Sequence, residues 1–381
     1  MSRALRVGVI GDGLARGWAA RAHFPALRGL HGVELFAVAD PGHPADDVAA
    51  QWGAHLVCAD PTELATHRQV DVVTIAGPVP GHDELVRTAL SAGKHVFCEW
   101  PLSTNVRAAA ELRDLAVRSG GHQVVGLRGR ADPGARFARD LLAHGEIGEV
   151  LGVTLSAAPA SPSESTVDEP LLTGDGGQAL DVLRFCLGEP AELSATLTTR
   201  CPGVPAPDQV LVQGLLESGV AISAHLQAGA PGGTGFRMEV QGRRGALVLV
   251  SPSRIGEQES TVLLARRTGG GTSAGAVTPG AVTSDGTTPG AVTSGLATSG
   301  AALLGAAPSL EAVPVPESYR SGVAAVPAGP AQGVARLYAE LLRAVRTGTP
   351  QDPDFTTAVG LHCLLDTVAA AASTRRCRSL G

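Results

Sequence analysis

A glycine-rich turn, Gly11-Asp12-Gly13-Leu14-Ala15-Arg16-Gly17, stands between an apolar run, Leu5 to Ile10, and an Ala/Leu-rich stretch. Strand, turn and helix in that order suit a diphosphate. Gly11 permits the tight turn, and Gly13 lacks a Cβ, so backbone N–H groups can reach phosphate oxygens at the positive end of a helix. The regular spacing is GxGxxG; here Arg16 takes the third position, and Gly17 and Trp18 follow. Asp40 ends the second apolar run, where a carboxylate accepts two ribose hydroxyls and repels a 2′-phosphate. NAD is therefore expected as the cofactor, with NADP left open because Arg16 lies close in sequence. The plain alternative for Asp40 is a solvated loop residue. Ala76-Gly77-Pro78-Val79-Pro80-Gly81-His82 closes a further strand on the edge where ligands bind, and His82 either meets the ligand or caps the next helix.

Other reactive residues are few. His23 falls on the first helix, where it approaches the cofactor or serves the core. Arg128 and Arg130 suit a carboxylate or phosphate, or else a solvated turn. Both tyrosines, Tyr319 and Tyr338, come late, and Lys94 is the only lysine. The six cysteines are scattered without a CxxC pair, so no metal site is expected, and reduced thiols of a cytoplasmic protein are.

These residues need a frame. Short apolar runs at Val33 to Ala39, Leu56 to Cys58, Val70 to Ala76, His95 to Cys98 and Gln123 to Leu127 join Leu5 to Ile10 as six strands. Helical stretches separate them: Leu14 to Leu30, Ala45 to Trp52, Pro61 to Thr66, Gly81 to Ala92 and Asn105 to Ser119. Parallel strands require such crossovers, so residues 1–130 are read as an α/β doubly wound Rossmann domain that holds a dinucleotide.

After a linking helix, Ala135 to Ala143, the texture changes to longer strands joined by tight turns: Val150 to Ala157, Ala191 to Thr199, Val210 to Glu217, Val220 to Gln227, Phe236 to Gln241 and Gly245 to Val250. A helix, Gly177 to Leu187, interrupts them. Residues 131–381 are read as an α+β domain with an open-faced, mostly antiparallel sheet. Residues 269–310 repeat Thr-Pro-Gly-Ala-Val-Thr-Ser with almost no charge or bulk, and are read as a flexible insertion. Two helices, within residues 333–373, end the chain, with Asp354 as N-cap of the second.

Apolar residues make up 44% of the 381, enough for sizeable cores, and with only 3% aromatic those cores must be aliphatic. The formal net charge is −6 with no basic block, which argues against a nucleic-acid partner. No run of 18 apolar residues suggests a membrane span, and glycines interrupt any leader-like run at the N-terminus.

The stretch Val7 to Asp40, with Gly17-Trp18-Ala19-Ala20-Arg21-Ala22-His23-Phe24-Pro25, resembles the glucose–fructose oxidoreductase/inositol dehydrogenase (Gfo/Idh/MocA) superfamily, as does Ala92-Gly93-Lys94-His95-Val96-Phe97-Cys98-Glu99-Trp100-Pro101. The Gly-Trp-Ala and Glu-Trp-Pro triplets are similar to the branch related to the fungal galactose-regulon repressor. The resemblance implies a Rossmann domain, an open mixed sheet, final helices packing back, and pairing of two copies through the sheet faces. It places Glu99 and Trp100 beside the cofactor. In the family's enzymes a lysine stands where Trp100 does and helps move a proton; an indole can only stack or shape a pocket. Lys94 lies at the opposite edge. The family's acid/base histidine aligns with Gln178, which can hydrogen-bond a substrate but accept no proton, and Asp181 aligns with the last aspartate of that motif.

Gln178, Asp181 and His23 are thus the only catalytic candidates. Three functions stay open. One is an atypical NAD(P)-dependent oxidoreductase acting on an unknown small molecule and drawing its proton from water. The second is a non-catalytic NAD(P)-binding sensor, regulator or partner subunit. The third is a scaffold that has lost cofactor binding.

Overall fold

Val7, Val9, Val38, Val72 and Val73 are buried essentially completely, as strands covered on both faces must be. The computed structural model describes residues 3–380 apart from 42, 44, 160–169, 202–205, 230–231 and 267–308. Most of the expected insertion, and most of the loop before Asp175, lie outside the described residues.

Six parallel strands form the first sheet: β1 (Leu5–Gly11), β2 (Val33–Ala39), β3 (Leu56–Val57), β4 (Val72–Ala76), β5 (His95–Cys98) and β6 (Gln123–Val125). Their order is β3-β2-β1-β4-β5-β6, which reverses between β1 and β4 and opens a crevice at their carboxyl ends. The crossovers are α1 (Phe24–Gly29), α2 (Asp46–Trp52), α3 (Pro61–Thr66), α4 (His82–Ser91) and α5 (Val106–Ser119). Side-chain caps set their starts where the sequence offers them: Asp60 accepts from Thr62 N and Asn105 from Ala108 N.

One expectation is corrected here. The helix read from Leu14 starts later, because Arg16 N and Gly17 N both donate to Gly13 O, closing a turn on Gly13, which has a positive φ of 62°. A π-helical turn, Ala19–His23, then leads into α1.

Past α6 (Pro133–Ala143) comes the second sheet. It holds β7 (Val150–Ala158), β8 (Pro190–Thr198), β9 (Gln209–Leu216), β10 (Ala221–Gln227), β11 (Gly235–Gly242), β12 (Gly245–Ser251), β13 (Thr261–Arg266), β14 (Glu311–Val313) and β15 (Arg378–Ser379). The order is β14-β13-β12-β11-β7-β10-β9-β8-β15, antiparallel except for β7 beside β10. The three outermost additions, β13, β14 and β15, escaped the sequence reading.

The remaining helices are α7 (Asp175–Leu187), α8 (Pro330–Thr347) and α9 (Phe355–Thr374). Asp354 caps α9 through Thr357 N, as expected. Val334, Leu337 and Tyr338 of α8 share one core with Val7 and Val9 of the first sheet and Phe24 of α1. The helix α9 is long and apolar enough to cross a membrane by length and composition, and it is half buried against α5 and β8. Each fully buried leucine or valine here contributes about 1.5–3 kcal/mol. The final helices are therefore integral to both sheets.

Candidate functional site

Asp40 reaches from the end of β2 to the turn after β1. Its Oδ1 accepts Gly13 N at 3.1 Å and its Oδ2 accepts Leu14 N at 2.7 Å. The expectation that the amides of this turn stand free is corrected for these two. The solvated-loop alternative for Asp40 falls as well, since the residue is 6% exposed. A carboxylate has about four acceptor positions; Gly13 N and Leu14 N take two, and His43 Nδ1 lies 3.3 Å from Oδ1, which leaves one for an incoming hydroxyl beside that histidine. The Leu14 side chain is buried beneath the turn, where a Cβ on Gly11 would strike its Cδ2. Above Gly13 there is open space: a Cβ there would meet nothing within 4 Å. Gly17 packs closely, its Cβ direction 3.0 Å from Gly13 O, while the Arg16 side chain is exposed.

Ala76 ends β4, and Gly77 and Pro78 follow it opposite the first turn, with the Cβ direction of Gly77 3.7 Å from Gly11 Cα. His82 does not face this crevice. It is 1% exposed, and its Nδ1 and Nε2 lie 2.8 Å from Pro101 O and 2.9 Å from Gly77 O. Burial lowers its pKa against the pull of those carbonyls, and the ring braces the loops after β4 and β5.

Glu99, just past β5, is held by His23, whose Nε2 lies 2.9 Å from Oε1. His23 Nδ1 meets Tyr338 Oη at 2.9 Å, and that hydroxyl meets Thr74 Oγ1 at 2.8 Å. Burial pushes the Glu99 carboxyl up, but the His23 hydrogen bond and the His23 and Arg128 charges outweigh it and hold the pKa below the ordinary value. His23 is fully buried, so its place is behind Glu99. Trp18 carries the Arg128 guanidinium over its ring at 4.4 Å.

Trp100 is 7% exposed. Its Nε1 donates to Thr173 O at 2.6 Å, and its ring lies against His362 of α9 at 4.6 Å between centroids. Gly177 leaves it room: a Cβ there would sit 3.2 Å from the indole nitrogen. Gln178 donates from Nε2 to Gly126 O at 2.9 Å, while its buried Oε1 has no partner. Asp181 is 1% exposed and takes both Nε and Nη2 of Arg130 at 2.8 Å. Arg130 also meets Asp352 at 3.0 Å, so neither open alternative for Arg130 holds; it is an internal ion-pair partner. Lys94 donates to His67 O and Val70 O at the amino edge, away from the site.

The turn after β1, the loop after β4, Glu99, Trp18, Arg128 and Gln178 thus converge on one crevice between the two sheets. Comparison with known proteins gives this crevice a family. Residues 5–154 match the family described as "Oxidoreductase family, NAD-binding Rossmann fold", and residues 135–248 match its "GFO/IDH/MocA C-terminal domain". An inositol 2-dehydrogenase 2 from Saccharopolyspora erythraea is 30% identical over 255 residues, covering 66% of this chain and 75% of that one. The chain belongs to the Gfo/Idh/MocA oxidoreductase family.

As a Gfo/Idh/MocA protein it is also similar to the galactose/lactose metabolism regulatory protein GAL80 of Kluyveromyces lactis, 24% identical over 271 residues, 60% of this chain and 59% of that one. Among solved structures, levoglucosan dehydrogenase in complex with NADH and levoglucosan superposes with a TM-score of 0.77 at 19% identity, covering 99% of this chain and 100% of that one. That likeness shows the fold.

The Rossmann half is NAD-binding by family, and the residues present fit the dinucleotide: a Cβ-free cradle at Gly13, and Asp40 at the end of β2 with an acceptor position to spare. Sequence reasoning missed Thr173 and His362, and named Tyr338 without a role. The first two meet Trp100 only through α7 and α9, and nothing local marks them.

Proposed function

We propose that this Gfo/Idh/MocA protein binds NAD(H) as a sensor or regulatory subunit and does not oxidise alcohols. One observation carries the reading: both titratable catalytic candidates, His23 and Asp181, are bonded inward, as are the cofactor-site residues Glu99 and His82. Glu99 is tied to His23, Asp181 to Arg130, and His82 to two carbonyls. His362 lies beneath Trp100, and Gln178 is an amide. Losing one positioned acid or base typically costs about 10² to 10⁴-fold.

In this reading Gly11, Gly13 and Gly17 shape the turn over the diphosphate, and Arg16 adds a cation at its rim. Asp40 orders the turn and takes a ribose hydroxyl, which favours NAD over NADP. Ala76, Gly77 and Pro78 form the opposite wall, braced by His82. Glu99, Trp18 and Arg128 line the nicotinamide end, and Trp100 closes the floor. Bound nicotinamide supplies hydride chemistry; the chain supplies position and excludes water.

A second reading, an oxidoreductase drawing its proton from water, is favoured by the unpartnered polar atoms of the crevice: Gln178 Oε1, Arg128 Nε and Ser253 Oγ. Calorimetry with NADH, followed by absorbance at the reduced-nicotinamide band with polyols, imines and enones, separates the two. Binding without turnover is expected. Turnover moves the assignment to the second reading, and absence of binding removes both.

The reading includes a homodimer. On β9 and β10, Leu211, Gln213 and Leu215 face outward across from His225, Ser223 and Ala221, with no acidic or basic side chain except the histidine. Leu211 and Leu215 are 43% and 38% exposed, which suits a covered face.

A further inference from the structure

A second concave site lies at the other end of the Rossmann sheet. The end of α1, the last residue of α2 and the segment leading into α8 enclose a groove of ≈ 390 Å³, within the range of small-molecule pockets. Its walls are Pro25, Arg28, His31, Trp52, Ala325 and Pro327. The groove precedes β2, so it opens at the amino edge, away from the dinucleotide.

The chemistry of the lining is one-sided. Its polar side chains, Arg28, His31 and Trp52, all carry N–H groups, and among the described residues the lining includes no carboxylate, hydroxyl or side-chain amide. The Arg28 guanidinium lies over the Trp52 ring at 4.8 Å and donates to Gln51 O at 2.9 Å. Among the described residues neither Arg28 nor His31 forms an ion pair, although the chain as a whole carries a charge of −6. A stacked arginine beside an aromatic face and two prolines suits a ligand with an apolar body and an anionic head.

Both walls continue into the buried chain behind Glu99. The α1 wall begins directly after His23. The other wall, Ala325 to Pro327, leads into α8, which carries Tyr338. The two walls touch tightly: a Cβ on Gly29 would lie 2.8 Å from Val326 Cγ2 and 2.9 Å from Ala325 O. His23 and Tyr338 meet at 2.9 Å, and His23 holds Glu99.

We propose that this groove binds a small organic carboxylate with an apolar body, and that its occupancy shifts the affinity for NAD(H) through the His23–Tyr338 contact. The site itself stands apart from the function proposed above; the coupling rests on it.

The test is titration calorimetry of the full chain with benzoate, and with benzamide as its neutral isostere. Saturable benzoate binding is expected with Kd on the order of 1 mM or tighter. It should weaken about tenfold or more in Arg28→Met and be largely kept in Arg28→Lys. No saturation by benzoate, equal binding of benzamide, or unchanged binding in Arg28→Met overturns the site. Saturating benzoate is then expected to change the NADH Kd by about 5-fold or more, and not in Arg28→Met. An unchanged NADH Kd overturns the coupling. Failure of NADH to bind at all overturns the proposed function and leaves the benzoate measurement standing.

Discussion

Trp100 donates its indole N–H to the Thr173 carbonyl at 2.6 Å, so this indole bridges the Rossmann half to the segment just before α7. Trp100→Phe keeps the ring but leaves a carbonyl without its donor, and is expected to cost about 1–3 kcal/mol. Trp100→Ala also opens a cavity and is expected to cost about 3–5 kcal/mol. Urea denaturation measures both. In Trp100→Phe the NADH affinity should stay within a few-fold, because the indole N–H is spent on Thr173; a large loss there would assign the indole N–H to the cofactor.

His362, packed on Trp100, gives a pH signature. Burial penalises its imidazolium and lowers the pKa to about 4, against 6.5 for an ordinary histidine. The unfolded chain therefore takes up a proton between these values while the folded chain does not, and stability falls as pH drops from about 6.5 to about 4, by up to about 3 kcal/mol. Glu99 acts in the same direction at lower pH, since its depressed pKa contributes stability that is lost as pH falls through the folded value. His362→Phe keeps an aromatic ring on Trp100 and removes the proton. Denaturation midpoints across this range should fall less steeply in the variant; an equal slope would show that His362 titrates alike in both states.

Asp40→Ala frees the Gly13 and Leu14 amides and removes the carboxylate that repels a 2′-phosphate. Weaker NADH binding, by about tenfold or more, is expected together with a smaller preference over NADPH. A variant that binds both as the parent does would take Asp40 out of the cofactor site.

Arg130 and Asp181 form a buried bidentate pair. Removing one partner, in Arg130→Met, leaves Asp181 only the longer 3.5 Å contact to Arg184 Nη1 and is expected to cost about 3–5 kcal/mol, whereas the double variant Arg130→Met/Asp181→Leu should recover much of it. NADH affinity should hold in the double variant. A selective loss of binding with intact stability would instead make the pair part of the ligand site.

The outward leucines of β9 test the paired state. Leu211→Glu/Leu215→Glu places like charges on a face whose strand neighbours are Ala221, Ser223 and His225. Sedimentation velocity is expected to show a dimer for the parent chain and a monomer for this variant. A parent chain that sediments as a monomer would end that part of the proposal.

Much was legible in the residues alone, because the signals are local. The glycine turn after an apolar run, Asp40 at the end of the next strand and the Glu99-Trp100-Pro101 triplet each occupy one strand end, so period and punctuation place them on one edge of a parallel sheet. Lys94, preceding its strand, falls by the same logic on the opposite edge, where its ammonium is held by two carbonyls. The tertiary structure alone decided what each side chain touches. Sequence offers Asp40 to a ribose and Arg130 to an anion; the fold gives Asp40 two amides of the turn and gives Arg130 to Asp181. His23 and Tyr338 are 315 positions apart, and Trp100 and His362 are separated in sequence by β7 to β14 of the second sheet. Such pairs form because buried polar and aromatic groups need partners wherever the packed helices bring them, and no local pattern records which partner that is.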